Sequence, residues 1–179
     1  MPTRFEFLLL LAPTALVATS PVLAEDFLSV EQAQQLLFPG AQFTPGDFVL
    51  TDAQLELLAQ KISTRVWRRQ VKAWRVSSGG WFFVDQVIGR DDRISYALGL
   101  DKEGAIRGVE ILTCLAKYDG IRRPEWRAQF TGRRYGKLDM LDQISTISGA
   151  TMSTTHITEG VQRVLATYAL FVAPGPGPS

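Results

Sequence analysis

The chain has 179 residues, 46% of them hydrophobic, and its 19 Lys and Arg against 18 Asp and Glu give a formal net charge of +1. That is enough chain for one ordinary core and too little for two, and a charge balance this even excludes both a strongly basic nucleic-acid binder and an acidic disordered chain. One cysteine allows no disulfide within the chain, and one cysteine with one histidine argues against a structural or catalytic metal site, so any redox chemistry falls to an organic cofactor.

In chain order, the first 24 residues read as a secretory signal: Arg4, then the apolar run Phe7 to Ala18, then Val22-Leu23-Ala24 ahead of Glu25. The run is shorter than the roughly 20 apolar residues a spanning helix needs. The mature chain is therefore expected in the periplasm, an uncleaved signal being the alternative that would anchor it to the membrane. Residues 25–69 read as a helical segment. Ser29 caps a short helix over Glu31 to Phe38 that Pro39-Gly40 ends, and Phe43 to Phe48, with Pro45-Gly46 at its centre, reads as a loop. Thr51 or Asp52 then caps a second helix with Leu55, Leu58 and Ile62 at helical spacing.

From about Arg69 the period changes to two. Val71, Ala73, Arg75 and Ser77 alternate with Lys72, Trp74 and Val76, and Ser78-Gly79-Gly80 makes a turn. Trp81 to Ile88, Ile94 to Leu100 and Ala105 to Leu112 are further strand-like runs, the last two joined by Asp101-Lys102-Glu103-Gly104. Cys114, beside the apolar run from Val109, reads as a small buried hydrophobe. A loop with Gly120 and Pro124 leads to a short helix around Glu125 to Phe130. A long helix is predicted from about Thr154 to Phe171, with Ile157, Val161, Val164, Leu165, Tyr168 and Val172 on its apolar face and Glu159, Gln162 and Arg163 off it. Residues 173–179 read as a disordered tail. The expected fold is one α+β domain: an antiparallel sheet meander with N-terminal helices and a long C-terminal helix.

The stretch Ser148-Gly149-Ala150-Thr151 at the entry to that helix carries the chemistry. Small residues let a ligand approach the backbone, and the free N–H groups of a helix start, with the positive end of its dipole, attract an anion. A threonine hydroxyl there could hydrogen-bond a phosphate or be esterified by one. The same letters also suit an ordinary N-cap, and on the physics alone both readings stand.

Ile147-Ser148-Gly149-Ala150-Thr151, followed by Ser153, resembles the flavinylation motif of the FMN-binding domain family, which includes flavin subunits of the sodium-pumping NADH:quinone oxidoreductase and of the Rnf electron-transport complex, and many solitary exported domains. Two flanking stretches extend the likeness: Tyr118-Asp119-Gly120 through Pro124-Glu125-Trp126 to Phe130 and Gly132, and His156-Ile157-Thr158-Glu159-Gly160-Val161. The resemblance spans roughly residues 70–172. It implies FMN joined through its phosphate to Thr151 by a flavin transferase using FAD as donor. It also implies a cofactor site drawing on Ser148, Gly149, Ala150, Ser153 and Gly120, with Trp126 and Tyr118 offering aromatic faces to the isoalloxazine ring. The family usually has Asp six residues before the modified Thr; Ser145 stands there in this chain, with Asp139 and Asp142 nearby. His156 reads as either a structural histidine or a hydrogen-bonding neighbour of the flavin. The cluster Arg122, Arg123, Arg127, Arg133 and Arg134 reads as a solvated face, with a phosphate, a carboxylate-bearing partner or membrane headgroups as its other uses.

The resemblance therefore implies a periplasmic electron-transfer flavoprotein that serves membrane or periplasmic redox partners and is not a stand-alone enzyme. The alternatives are a non-covalent flavin-binding or sensory module and an exported structural or assembly protein with no flavin.

Overall fold

A computed structural model describes residues 28–62, 66, 68–89, 93–114, 120–136 and 142–173. The expected signal (1–24), Tyr118, Asp139 and most of the expected tail lie outside these residues.

Two short helices open the described chain. Helix α1 spans Val30–Leu37 and α2 spans Asp52–Lys61, and each begins with a complete capping box: Ser29 with Gln32, and Thr51 with Gln54. In both, the cap hydroxyl accepts from the third helical N–H while the Gln side chain accepts from the cap's own N–H, so two otherwise orphaned donors are satisfied.

Strands β3 (Gln70–Val76), β4 (Trp81–Ile88), β5 (Arg93–Leu100) and β6 (Ile106–Thr113) form the expected antiparallel meander. The sheet has six strands, because Phe43–Pro45 (β1) and Phe48–Val49 (β2) both pair with β3 along its outer edge. This corrects the reading of 43–48 as a loop. Pro45 and Gly46 punctuate the sequence as a loop would, yet an edge strand tolerates a proline because its missing N–H faces away from the ladder. At the interruption the N–H of Gly46 bonds to the carbonyl of Ala73 at 2.8 Å, and the Asp47 carboxylate accepts from the Ala73 N–H at 2.9 Å. A side chain thus replaces the missing rung of backbone pairing.

Both faces of this sheet are covered. On one face, α1 places Ala33, Leu37 and Phe38 against Val76, Phe82, Ala97 and Leu112. On the other, helices α3 (Pro124–Ala128) and α4 (Thr151–Phe171) bring Trp126, Ile157, Val161, Val164 and Leu165 to Phe83, Tyr96, Leu98 and Val109. Adjacent Phe82 and Phe83 therefore both bury, one on each face. Central strand β5 is buried continuously from Ile94 to Leu100 for the same reason. Helix α2 packs by Leu58 and Ile62 against Ala166, near the C-terminal end of α4. The molecule is thus a single α+β domain, as its sequence implied. Cys114 is buried, in keeping with its reading as a small hydrophobe.

The β3–β4 turn shows how tightly the sheet depends on one residue. Gly80 has φ +94°, and a Cβ built on it would lie 2.1 Å from the Leu100 carbonyl oxygen. Backbone cannot step aside as a side-chain tip can. Gly80→Ala is therefore expected to destabilise the protein by about 3 kcal/mol, combining backbone strain with overpacking. Urea unfolding would read this as a lower midpoint at unchanged slope.

Candidate functional site

Helix α4 starts at Thr151, three residues before the expected Thr154, and its start differs from those of α1 and α2. Its N-cap is Ala150, and no side chain caps it. This removes the N-cap reading: neither Ser148 nor Thr151 is the N-cap, and Thr151 is the first helical residue. The opening turn of a 21-residue helix thus presents backbone N–H groups that the helix itself cannot satisfy, at the positive end of its dipole.

The residues around that turn have distinct environments. Gly149 has φ +84° with open space where a Cβ would go, so it turns the chain sharply into the helix in a conformation that glycine alone adopts cheaply. Ser148, Gly149 and Thr151 are exposed, while Ala150 is buried. The Thr151 hydroxyl faces its own backbone loosely, at 3.4 Å from the Ile147 carbonyl. Ser153 is 1% exposed and its Oγ has no hydrogen-bond partner. A buried hydroxyl without a partner is uncommon and costly.

Helix α3 fixes the approach to this turn. Trp126 is buried, edge-on to Phe130, and its indole N–H donates to the Ser145 carbonyl at 2.8 Å. The Gln129 side chain accepts from the Ser145 N–H at 2.9 Å. The backbone of Ser145 is thus held from both sides while its side chain is exposed. Gly120 closes the same unit: a Cβ there would come within 3.0 Å of Ile147 and 3.6 Å of Ala150. The fold therefore gathers Gly120 and Trp126 around the segment Ser148, Gly149, Ala150, Thr151 and Ser153 at the entry to α4, with Trp126 buried in the core.

Two readings of charged residues need correcting. The expected solvated face of arginines is partly internal bracing. Arg127 pairs with Glu110 and donates to the Val109 carbonyl at 3.0 Å, and Arg133 donates to the Gln129 carbonyl at 2.6 Å and to the Gln143 side chain. Arg163, placed off the apolar face by periodicity, is instead buried. Its guanidinium meets Asp85 of β4 at 2.5 Å, and the Tyr96 hydroxyl donates to the same carboxylate oxygen at 3.1 Å. Nothing local flags this triad, because its members lie on β4, β5 and α4. Periodicity marks Arg163 polar, and only the fold supplies its partner.

His156 bridges the same elements. Its Nδ1 lies 2.5 Å from the Ile88 carbonyl, and since a carbonyl can only accept, that nitrogen carries the proton. His156 thereby fastens the first turns of α4 to the end of β4, which supports its structural reading.

Tyr96 is completely buried. Burial first, and the Asp85 charge second, push its phenol well above its ordinary value. In the unfolded chain a phenol ionises near pH ~10, whereas folded Tyr96 still holds its proton there. The unfolded state then binds fewer protons, so this contribution to stability is complete below about pH 10 and is lost as pH rises beyond it. Thermal midpoints should fall through that range. Tyr96→Phe should flatten part of the fall, leaving the smaller share of Tyr168, whose phenol is also raised, chiefly by burial.

Residues 89–166 match the family model described as the FMN-binding domain. No curated protein matches the chain.

Proposed function

We propose that the protein, whose residues 89–166 match the FMN-binding domain model, is an exported electron-transfer flavoprotein carrying FMN on Thr151 through a phosphoester. The observation that carries this reading is the start of α4, where an exposed threonine hydroxyl stands at an uncapped helix N-terminus. The residues fit the group. The free N–H groups of the first turn suit the charge of a phosphodiester, and Gly149 keeps side-chain bulk away from it. When bound, FMN supplies one- or two-electron exchange.

In this reading Thr151 is the attachment point: its hydroxyl proton is replaced by the phosphorus of FMN, and AMP leaves from the FAD donor. Trp126, Gln129 and Gly120 are positioning residues that hold the segment 145–150 in place for a flavin transferase. Exposed Ser145 lies on the surface such an enzyme would read. Residues 1–24 act as the export signal and the mature chain works in the periplasm, exchanging electrons with membrane or periplasmic partners. A tether suits that setting, because a dissociable cofactor released outside the cytoplasm is diluted away.

The test is the intact mass and visible spectrum of protein exported from cells with and without a flavin transferase. The reading expects a gain of one FMN less one water only with the transferase, and a flavin band that bleaches with dithionite and returns in air. A colourless protein of unchanged mass would overturn it. A yellow protein whose flavin is released on denaturation would move the reading to non-covalent binding.

A further inference from the structure

Beside α4, on the flank that faces β4, lies a cavity of about 290 Å³. It is outside the segment 145–151 and uses none of the residues assigned above to FMN. Its volume sits at the lower bound of small-molecule sites, which suits a ligand smaller than a typical drug.

The walls divide by chemistry. Val87 and Ile88 give an apolar side, and Ile88 is 59% exposed. Opposite in character are three arginines, Arg68, Arg93 and Arg163. Arg163 is already neutralised by Asp85. Arg68 donates one N–H to Gln86 at 3.1 Å and is in no ion pair among the described residues; Arg93 also has no ion-pair partner among them. Glu159 is the one acid among the described lining residues. Among those residues, Arg68 and Arg93 against Glu159 leave a net charge of one positive.

These observations select a ligand class. A fork of guanidinium donors matches the planar geometry of a carboxylate. The apolar wall rewards a hydrocarbon body, and a single net positive charge with Glu159 in the lining disfavours a compact dianion such as phosphate. We propose that this cavity binds a small monocarboxylate with an apolar body, its carboxylate at Arg68 and Arg93 and its body against Val87 and Ile88. The site is independent of the flavin reading. It shares with that reading only the N-terminal half of α4, His156 of its lining standing five residues from Thr151.

Benzoate serves as the probe. Its binding would be measured by titration calorimetry on the mature chain carrying Thr151→Val and prepared without transferase, so that no covalent flavin enters the result. The proposal expects saturable benzoate binding that weakens at least about tenfold in the double variant Arg68→Gln/Arg93→Gln. It also expects tighter binding in Glu159→Gln, no change in Arg134→Gln, and an affinity for inorganic phosphate well below that for benzoate. All the substituted side chains lie outside the buried core, and circular dichroism would confirm the fold of each variant. No benzoate binding at millimolar concentration would overturn the proposal. So would binding that ignores the Arg68/Arg93 double change, or phosphate binding as tight as benzoate.

Discussion

Protein carrying Thr151→Val, exported from cells that make a flavin transferase, is expected to show the mass of the bare chain, while the unchanged protein gains one FMN less one water. Valine keeps the β-branched shape of threonine and removes only the hydroxyl. Because α4 begins without a side-chain cap, that hydroxyl caps nothing, and its contact with the Ile147 carbonyl is long at 3.4 Å. The substitution should therefore leave stability within about 0.5 kcal/mol, as at an exposed site free of special features. A loss of flavin together with a large loss of stability would instead assign Thr151 a structural role. Retained flavin mass in the variant would place the attachment elsewhere.

The second large effect is expected at the buried pair. Asp85→Ala leaves the Arg163 guanidinium inside the protein without its carboxylate and leaves the Tyr96 hydroxyl without its acceptor. Removing one partner of a buried pair costs about 3–5 kcal/mol, far more than an exposed ion pair contributes. For a chain of this length that is a fall in Tm of about 10 °C. The double variant Asp85→Leu/Arg163→Met should recover most of it, since apolar replacements of similar volume remove the uncompensated charge. Thermal unfolding of both variants checks this, and a single variant as stable as the parent would mean that Arg163 reaches water when freed. The crossing of β5 and α4 makes the triad compact: a Cβ on Gly160 would lie 2.6 Å from the Tyr96 hydroxyl, so the helix can approach that group only with glycine there.

The meander was legible in the sequence because its signals are local. Two-residue alternation, Ser78-Gly79-Gly80 and Asp101-Lys102-Glu103-Gly104 lie within a few residues of what they specify, and the capping boxes of α1 and α2 are equally short-range. Three features escaped for one shared reason, that their partners are distant. The edge strands β1 and β2 exist because β3 pairs with them, which Pro45-Gly46 conceals. Arg163 is buried because Asp85, 78 residues away, receives it. The cavity between α4 and β4 has walls from three separate stretches of chain. The start of α4 escaped differently: Thr151, Ser153, Thr154 and Thr155 are modest helix formers, and the same letters also suited a side-chain cap where none exists. Of the motif itself, the fold shows the packing that surrounds it. Gly120 packs on the turn, Trp126 secures Ser145 from beneath, and Thr151 stands in the open.

The interrupted edge at β1 and β2 bears on how copies of this chain behave in each other's company. An open sheet margin is a template on which another molecule can add a strand. Here Pro45 withholds a donor, Asp47 turns its carboxylate inward onto Ala73, and neither edge piece exceeds three residues. At the opposite margin, β6 has the carbonyls of Ile106, Val109 and Leu112 engaged by Gly132, Arg127 and Leu28. A visiting strand finds no long unbroken ladder on either side, so the fold resists edge-to-edge aggregation at the concentrations where a less guarded sheet would begin to polymerise.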